Sequence, residues 1–191
     1  MKNPTTKSRA RRAAYHHGDL RRTLLDAAHE EIAANGAQSL SLASLARRAG
    51  VAQSAPYRHF ADRDELLAAV ATDGFRVFTA VIVAAAEAGS EAGALKRMYA
   101  AYLRFGEENM EIYRLMFASR LVADRTSDES ELYKAAMASF EPLLERVADG
   151  SSKRARLAAY GIWSQLHGIV MLKADGLLTE PSQDLLNGLP I

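Results

Sequence analysis

Apolar residues recur at helical spacing along most of the chain, and this periodicity constrains the fold more than any other feature. Near the start, Leu20, Leu24, Ala28 and Ile32 stand four residues apart and form one stripe of a helix. No segment alternates convincingly as a half-buried strand does, and the abundant alanine favours helix. The sequence therefore predicts an all-α protein of about nine helices. After the first, helical patterns cover about 41–49, 53–60, 62–88, 92–108, 110–120, 128–148, 152–174 and 182–188.

The run SLASLARRAGVAQSAPYRHF predicts two short helices joined by a glycine turn. Ser41 has the side chain of a helix N-cap, and Gly50 can adopt the left-handed backbone that ends a helix. Another helix is predicted from about Gln53 to Phe60, with Pro56 in its first turn, where the missing N–H costs little. Asp62 is expected to cap the helix that follows. This order is the outline of a helix-turn-helix, whose second short helix can place side chains in a DNA major groove.

Charge is distributed unevenly, although the net charge is only +1. Residues 1–63 contain 11 Lys and Arg against 5 Asp and Glu, whereas residues 64–191 contain 13 against 18. A basic section followed by an acidic one suggests a polyanion-binding module on a body with another role. The predicted domains are a flexible basic arm at 1–17, a helix-turn-helix domain at 18–62, and a larger domain at 63–191 that begins with a linking helix at about 62–88.

Several classes of protein are excluded by composition. Cysteine is absent, which rules out disulfides, thiolate metal sites and a cysteine nucleophile. No unbroken apolar run reaches the roughly 18 residues that span a membrane, and the basic N-terminus lacks the apolar core of a secretion signal. We therefore expect a cytoplasmic protein. We find no nucleophile motif, phosphate loop or metal-ligand spacing, so we expect neither an enzyme nor a cofactor or metal. The nearest approach to a metal-ligand cluster is His16, His17 and Asp19, and three ligands so close together at one end of a helix have poor geometry for a metal ion.

The helix-turn-helix region resembles the tetracycline-repressor-type (TetR) family of transcriptional regulators. The resemblance covers residues 18–70 and is carried by Leu45-Ala46, Ala49-Gly50-Val51, Tyr57, His59-Phe60 and Leu66. Downstream, IYRLMF at 112–117 and WSQLHG at 163–168 resemble the TetR subgroup named for a Trp…His-Gly motif. The resemblance implies an effector-binding and dimerisation domain over about 71–191. It also implies a homodimer formed by the last two long helices, and repression of transcription that a small molecule relieves.

Polar and basic residues around the turn are the candidates for contact with double-stranded DNA. Tyr57 and His59 resemble family positions that contact phosphate, and Arg63 stands where the family usually carries Lys. Pro56 departs from the small or β-branched residues of many members, so base preference stays open. The predicted DNA-binding residues are Arg47, Arg48, Gln53, Ser54, Tyr57, Arg58, His59 and Arg63. For the arginines the alternative is a solvated basic face, and for Tyr57 it is packing. Basic residues of the arm either enter a flanking minor groove or form a solubilising tail; they are Arg9, Arg11 and Arg12.

Aromatic residues of the larger domain are candidates for an effector pocket, because apolar ligand sites combine many rings with few polar anchors. Trp163, His167 and Met171 are spaced by four and share a helix face. His167 is the best polar anchor, and its alternative is a buried histidine bonded to a backbone carbonyl. Gly161 and Gly168 also share a face and favour close helix packing or a dimer contact. The predicted ligand-binding residues are Tyr102, Phe105, Tyr113, Phe117, Trp163, His167 and Met171, with Tyr99 as a further pocket candidate.

Three functions fit these features. The leading hypothesis is a ligand-responsive repressor, released from a palindromic operator by a small apolar or aromatic effector. The second is an architectural DNA-binding protein without an effector, which a cavity under roughly 300 Å³ would favour. The third is a helical enzyme that uses His167 with a nearby carboxylate.

Overall fold

The computed structural model describes residues 20–118, 130–147 and 152–188. Within these ranges the chain forms eight α-helices, two short 3-10 helices and no strand, so the predicted all-α class is confirmed. The predicted arm, with its arginines, and His16, His17 and Asp19 lie outside the described residues. The α-helices are α1 (Leu20–Asn35), α2 (Leu42–Ala49), α3 (Arg63–Glu87), α4 (Ala94–Glu108), α5 (Met110–Met116), α6 (Glu131–Arg146), α7 (Lys153–Ala174) and α8 (Ser182–Asn187). The 3-10 helices are Ala37–Ser39 and Pro56–Arg58.

The chain divides into two compact units, one up to Val70 and one from Ala71 onward. The division falls inside α3, so this helix begins in the first unit and ends in the second. The domain boundary predicted at 62–63 is the start of that same helix.

Local signals set the helix ends in the first unit as predicted. The Ser41 hydroxyl accepts a hydrogen bond from the Ser44 N–H at 3.0 Å, and the Ser44 hydroxyl accepts one from the Ser41 N–H at 3.2 Å. Gly50 ends α2 with a φ of 67°, in the left-handed region that glycine adopts without strain. Asp62 Oδ1 accepts from the Glu65 N–H at 2.7 Å and caps α3. Each of these three caps confirms its prediction.

The core of the first unit comes from one stripe of each helix. Of the four-residue repeat in α1, Leu24, Ala28 and Ile32 are fully buried, while Leu20 is half-buried. The apolar side of α2 packs against this stripe and removes both surfaces from water, which is the main favourable term in folding. The other buried residues here are Leu25, Leu40, Leu42, Leu45, Ala46, Pro56, Phe60, Leu66, Leu67, Ala68 and Val70.

The segment predicted as a helix from Gln53 to Phe60 is shorter in the structure, so that prediction was wrong in extent. Only Pro56–Arg58 is helical, and it is of the 3-10 type. The N–H of Arg58 donates to Ala55 O at 3.2 Å, and the N–H of His59 donates to Pro56 O at 2.9 Å. Because Pro56 has no N–H, it removes a backbone donor from the middle of the segment. The segment is therefore a tight turn rather than two full helical turns.

The second unit is packed through aromatic rings and two close glycine contacts. A Cβ added to Gly106 of α4 would lie 2.5 Å from Cγ1 of Val170 on α7, so glycine lets these helices approach closely. A Cβ on Gly74 of α3 would lie 2.9 Å from both Cγ and Sδ of Met116 on α5. Gly74 thus marks a close packing contact. Pro142, predicted to kink or break its helix, lies inside a continuous α6.

Among the described helices, α3 is the one long and apolar enough to cross a membrane by length and composition, with a mean hydropathy of 1.8. Asp73 and Arg76 interrupt it, and for that reason the sequence has no unbroken apolar run here. Core helices pass the same test, and Phe75, Phe78 and Ile82 of α3 are buried in the protein. Its hydropathy is accounted for by its place in the core.

Candidate nucleic-acid interface and aromatic cluster

The turn between α2 and α3 separates polar side chains from apolar ones. Pro56 and Phe60 are buried, and His59 is half-buried. The side chains that this turn presents to solvent are those of Gln53, Ser54, Tyr57 and Arg58, with Tyr57 56% exposed. Five of the eight predicted DNA-binding residues therefore lie between positions 53 and 59. Four of these five have exposed side chains that a partner can contact.

The turn is held by contacts within the first unit. The N–H of Val51 donates to Ala46 O at 3.0 Å, directly after the left-handed Gly50. The guanidinium of Arg21 lies 5.2 Å from the centre of the Phe60 ring, a cation–π contact. Arg21 was not among the predicted site residues, because nothing in the sequence links a residue of α1 to a ring almost forty positions later.

Arg47 and Arg48 have different surroundings, although both are exposed at the end of α2. Arg48 forms ion pairs with Glu30 and with Glu31 of α1, the latter at 3.2 Å. Arg47 makes no ion pair or side-chain hydrogen bond with the described residues. Of the two, Arg47 has its guanidinium available to a phosphate, and Arg48 already links two helices.

Arg63 is turned toward the backbone of its own unit. Its guanidinium donates to Leu40 O at 2.9 Å through Nε and to Ala37 O at 2.6 Å through Nη2. These two carbonyls belong to the connection between α1 and α2. A planar guanidinium can satisfy both together, whereas the compact ammonium of a lysine lacks its fork of donors.

Four predicted ligand-binding residues form a continuous hydrogen-bonded chain in the second unit. Trp163 Nε1–H donates to the Tyr102 hydroxyl at 3.1 Å, and the Tyr102 and Tyr113 hydroxyls are 2.9 Å apart. The Tyr113 hydroxyl lies 2.7 Å from His167 Nδ1. We call Tyr102, Tyr113, Trp163 and His167 the hydrogen-bonded chain. The Tyr113 hydroxyl is thus the partner of His167, in place of the backbone carbonyl that the alternative interpretation expected.

Burial disfavours the charged forms of the three titratable members of this chain. Desolvation lowers the pKa of His167, which disfavours imidazolium. Desolvation likewise raises the pKa values of Tyr102 and Tyr113, which disfavours their phenolates. A neutral His167 that carries its proton on Nε2 can accept from the Tyr113 hydroxyl at Nδ1. Trp163 can only donate, so all three bonds can then run in one direction, from Trp163 to His167.

Ring contacts surround the chain. The ring centre of Phe117 lies 4.6 Å from that of His167 and 4.8 Å from that of Tyr113. The ring of Phe78 contacts the rings of both Phe105 and Tyr102. Met171 is half-buried one turn further along α7 and makes no hydrogen bond with the chain. Six of the seven predicted ligand-binding residues therefore belong to one aromatic cluster.

The cavity beside this cluster is small. It has a volume of about 10 Å³ and lies between α3, α4, α6 and α7. Such a volume holds about one water molecule. Six of its nine lining residues were not predicted, because a helical pattern does not reveal which residues face a neighbouring helix; they are Ile82, Met98, Ser139, Phe140, Leu143 and Leu166. A second, open cleft of about 340 Å³ lies between α3 and α6, beside Arg76, Glu131 and Lys134.

No three His, Asp or Glu side chains converge on a metal-sized site in the part of the chain that the structure describes. The described groups therefore offer no metal centre, and the two candidate regions are the turn and the aromatic cluster.

Comparison with known proteins matches both regions to one family. Residues 24–70 match the family described as bacterial regulatory proteins, tetR family, and residues 95–187 match a tetracyclin repressor-like C-terminal domain. A comparison with curated proteins finds no match. The chain belongs to the TetR family, whose members are DNA-binding transcriptional regulators, and the Trp…His-Gly resemblance is confirmed by the C-terminal match.

Solved structures agree with this assignment. A protein of unknown function from a Rhodococcus species is 31% identical, with a TM-score of 0.78 over 91% of this chain and 92% of that one. A regulatory-protein candidate, SCO4313, is 26% identical, with a TM-score of 0.73 over 91% and 94%. PfmR, a TetR family transcriptional regulator from Thermus thermophilus, is 20% identical, with a TM-score of 0.61 over 85% and 92%, and shares the fold.

Proposed function

We propose that this protein is a cytoplasmic repressor that binds a palindromic operator as a homodimer and is released by a small apolar or aromatic effector. The observation that carries the DNA-binding part is the turn between α2 and α3. Its polar side chains are exposed, while Pro56 and Phe60 anchor it from beneath. In a helix-turn-helix, exposed side chains at this position can enter the DNA major groove and contact base edges.

The exposed residues suggest a division of labour on DNA. Gln53, Ser54 and Arg58 are proposed to contact base edges, where amide and guanidinium groups distinguish base pairs. Tyr57, His59 and Arg47 are proposed to contact phosphates, which fix the position of the protein on the duplex. Arg48 and Arg63 are the predicted residues with competing partners, since a phosphate must replace carboxylates at the first and carbonyls at the second.

The exposed face of α7 supports the homodimer. Leu157 is 60% and Leu172 is 44% exposed, and both lie on the side of the helix that carries Gly161 and Gly168. A Cβ added to either glycine would meet no atom within 4 Å. A second copy of α7 can approach this strip of small and apolar residues closely and bury its leucines.

The aromatic cluster supports an effector site. It combines many rings with few polar groups, which is the usual composition of a small-molecule pocket. The cavity beside the cluster, at about 10 Å³, is too small for such a molecule, so an effector that binds there must separate the side chains of the cluster. Ligand binding and DNA binding would then favour different conformations, as release from an operator requires.

The same small cavity favours the alternative function, an architectural DNA-binding protein without an effector. Its volume is far below the roughly 300 Å³ of ordinary ligand pockets. The two functions differ in sequence preference on DNA and in response to ligands.

Salt titration of DNA binding by full-length protein tests the proposal. The logarithm of the association constant should fall by about 0.9 for each logarithmic unit of salt and each phosphate neutralised. Fluorescence anisotropy with labelled duplexes measures this slope, and a panel of small apolar and aromatic compounds can then be added to the preformed complex. DNA affinity that is absent or independent of salt would contradict the DNA-binding proposal. Affinity equal on all sequences and insensitive to ligands would favour the architectural alternative.

A further inference from the structure

Arg21 of α1 is an exposed arginine whose guanidinium lies beside the turn between α2 and α3. The guanidinium carbon is 5.2 Å from the centre of the Phe60 ring. Phe60 belongs to the turn, because its N–H donates to Pro56 O at 3.0 Å. Phe60 is buried while Arg21 is exposed, so the contact between them lies where the core of the first unit meets solvent.

The guanidinium of Arg21 has no hydrogen-bond acceptor among the described residues. It makes no ion pair or side-chain hydrogen bond with them, and its contact with the Phe60 ring is electrostatic and uses no acceptor atom. An arginine carries five N–H donors in a planar fork that matches two oxygens of a phosphate. Arg21 therefore presents a positioned cation whose donors are open to a partner.

Carboxylates near Arg21 or Phe60 in the sequence have other partners. Asp26 of α1 pairs with Arg22 at 2.9 Å. Asp62 and Glu65, at the start of α3, each accept from a backbone N–H at 2.7 Å. None of these three acidic groups neutralises Arg21, so its charge is available to an anion from outside the chain.

DNA phosphate is the anion that this position favours. The turn beside Arg21 presents Tyr57 and Arg58 to solvent, and both are proposed to contact DNA. A duplex that binds there carries phosphates along both sides of the groove, and about half or more of protein–DNA hydrogen bonds go to the sugar–phosphate backbone. Because Arg21 comes from α1 rather than from the turn itself, it is placed for the backbone that flanks the groove.

We propose that Arg21 contacts a backbone phosphate of the bound duplex, and that the Phe60 ring holds its guanidinium in position for this contact. The inference rests on the proposed DNA-binding function and adds a residue of α1 to the interface. The ring restricts the side chain before DNA arrives, so less conformational freedom is lost on binding. Phosphates are common to all sequences, so the contact adds affinity rather than base preference.

Salt titration of DNA binding by full-length Arg21→Ala tests this, with fluorescence anisotropy on a labelled duplex of arbitrary sequence. Loss of one phosphate contact should reduce the salt slope by about 0.9 for each bound subunit. Over a fourfold rise in salt, the variant should therefore lose about 3.5-fold less affinity per subunit than the wild type. Arg22→Ala is the matched control, because it removes the same charge from a neighbour already paired with Asp26, and its slope should match the wild type.

Two further variants separate a phosphate contact from packing on Phe60. Arg21→Met keeps an unbranched apolar side chain that can cover the ring but has no charge, so its slope should fall as in Arg21→Ala. Arg21→Lys keeps a charge that can meet both ring and phosphate, so it should retain most of the slope. A slope that falls in Arg21→Ala but is unchanged in Arg21→Met would assign Arg21 to packing alone and overturn the inference.

The wild type distinguishes failure of this inference from failure of the proposed function. A wild type without salt-dependent DNA affinity would contradict the DNA-binding proposal and this contact together. A wild-type slope that Arg21→Ala and Arg21→Met both retain would overturn the contact and leave the DNA-binding proposal standing. Equal reductions in Arg21→Ala and Arg22→Ala would mean that any charge lost from this part of α1 has the effect, and would also overturn the contact.

Discussion

Arg47 and Arg48 are adjacent and identical in type, yet their partners give them different expected roles. Arg48 is paired with two carboxylates of α1, whereas Arg47 is free of partners among the described residues. Two arginines in succession cannot face the same way on a helix, because neighbours are about 100° apart. Only the packing of α1 against α2 determines which of them meets an acidic side chain.

Alanine at these two positions should therefore change different properties, DNA affinity at Arg47 and folding stability at Arg48. Arg47→Ala should weaken DNA binding uniformly across sequences and reduce the salt slope by about 0.9, the contribution of one phosphate contact. Arg48→Ala should leave that slope nearly unchanged and lower stability by about 0–1 kcal/mol, as an exposed ion pair does. Salt titrations and thermal unfolding of both variants check this. A slope reduced by Arg48→Ala and not by Arg47→Ala would reverse the assignment.

Glu107, Lys173 and Ser182 form a polar junction between α4, α7 and α8. Lys173 Nζ lies 2.7 Å from Glu107 Oε1 and donates to Ser182 Oγ at 2.9 Å and to Glu180 O at 3.0 Å. The Ser182 hydroxyl also donates to Glu107. Partial burial acts to raise the pKa of Glu107, but the hydrogen bonds and charge of Lys173, together with Ser182, outweigh it and lower that pKa.

The sign of this shift predicts how stability depends on pH. Because the pKa of Glu107 is lower in the folded state than in the unfolded chain, its contribution is present above the unfolded pKa and is lost as pH falls through the folded pKa. Glu107→Gln should unfold at a lower temperature than the wild type at pH 7, and the difference should shrink toward pH 3. Glu108→Gln, an exposed neighbour, is the control. A difference that stays constant from pH 7 to pH 3 would contradict the role of this ion pair.

At the scale of elements, helix ends were predictable because their causes are local. Ser41, Gly50 and Asp62 act on backbone groups within three or four residues, so the sequence displays cap and helix together. The turn at Pro56–Arg58 was harder to predict, since apolar and polar residues there are compatible with a longer helix. The close approach of α4 and α7 at Gly106 could not be predicted, because the facing Val170 is far away in the sequence.

Two glycines of the second unit test how rigid that packing is. Gly106→Ala would place a Cβ 2.5 Å from the branched Val170 side chain, and overpacking of this kind costs about 1–3 kcal/mol. Gly74→Ala would place a Cβ 2.9 Å from Cγ and Sδ of the unbranched Met116 side chain, a wider gap than at Val170, and alanine gains up to about 1 kcal/mol in helix propensity. Urea unfolding should show Gly106→Ala clearly less stable than Gly74→Ala. Equal stabilities would mean that α4 and α7 separate without cost.

At the scale of the whole molecule, the proposed homodimer depends on the exposed face of α7. Placing glutamates at Leu157 and Leu172 together (L157E with L172E) should convert a dimer into monomers, because four carboxylates would meet across the strip. Val77→Glu on α3, a residue 54% exposed, is the matched control and should remain dimeric. Light scattering after size-exclusion chromatography measures the mass. A monomeric wild type, or a dimeric double variant, would contradict this interface.

In the aromatic cluster of the larger unit, the sequence predicted the shared helix face but not the hydrogen-bond partners. The spacing of Trp163 and His167 placed both on one helix face, and both belong to the hydrogen-bonded chain. Their partners Tyr102 and Tyr113 lie 61 and 54 positions away, so only tertiary packing could pair them.

Selection of binding sites from a pool of random duplexes measures whether this protein recognises a symmetric operator. Full-length protein should enrich a pseudo-palindrome whose half-sites are about one helical turn apart or a multiple of it, because a symmetric dimer presents two copies of the turn at Pro56–Arg58. Arg58→Ala, at an exposed residue of that turn, should lose the preference at one position of each half-site. Recovery of sequences without symmetry or consensus would contradict the account of this protein as an operator-specific regulator.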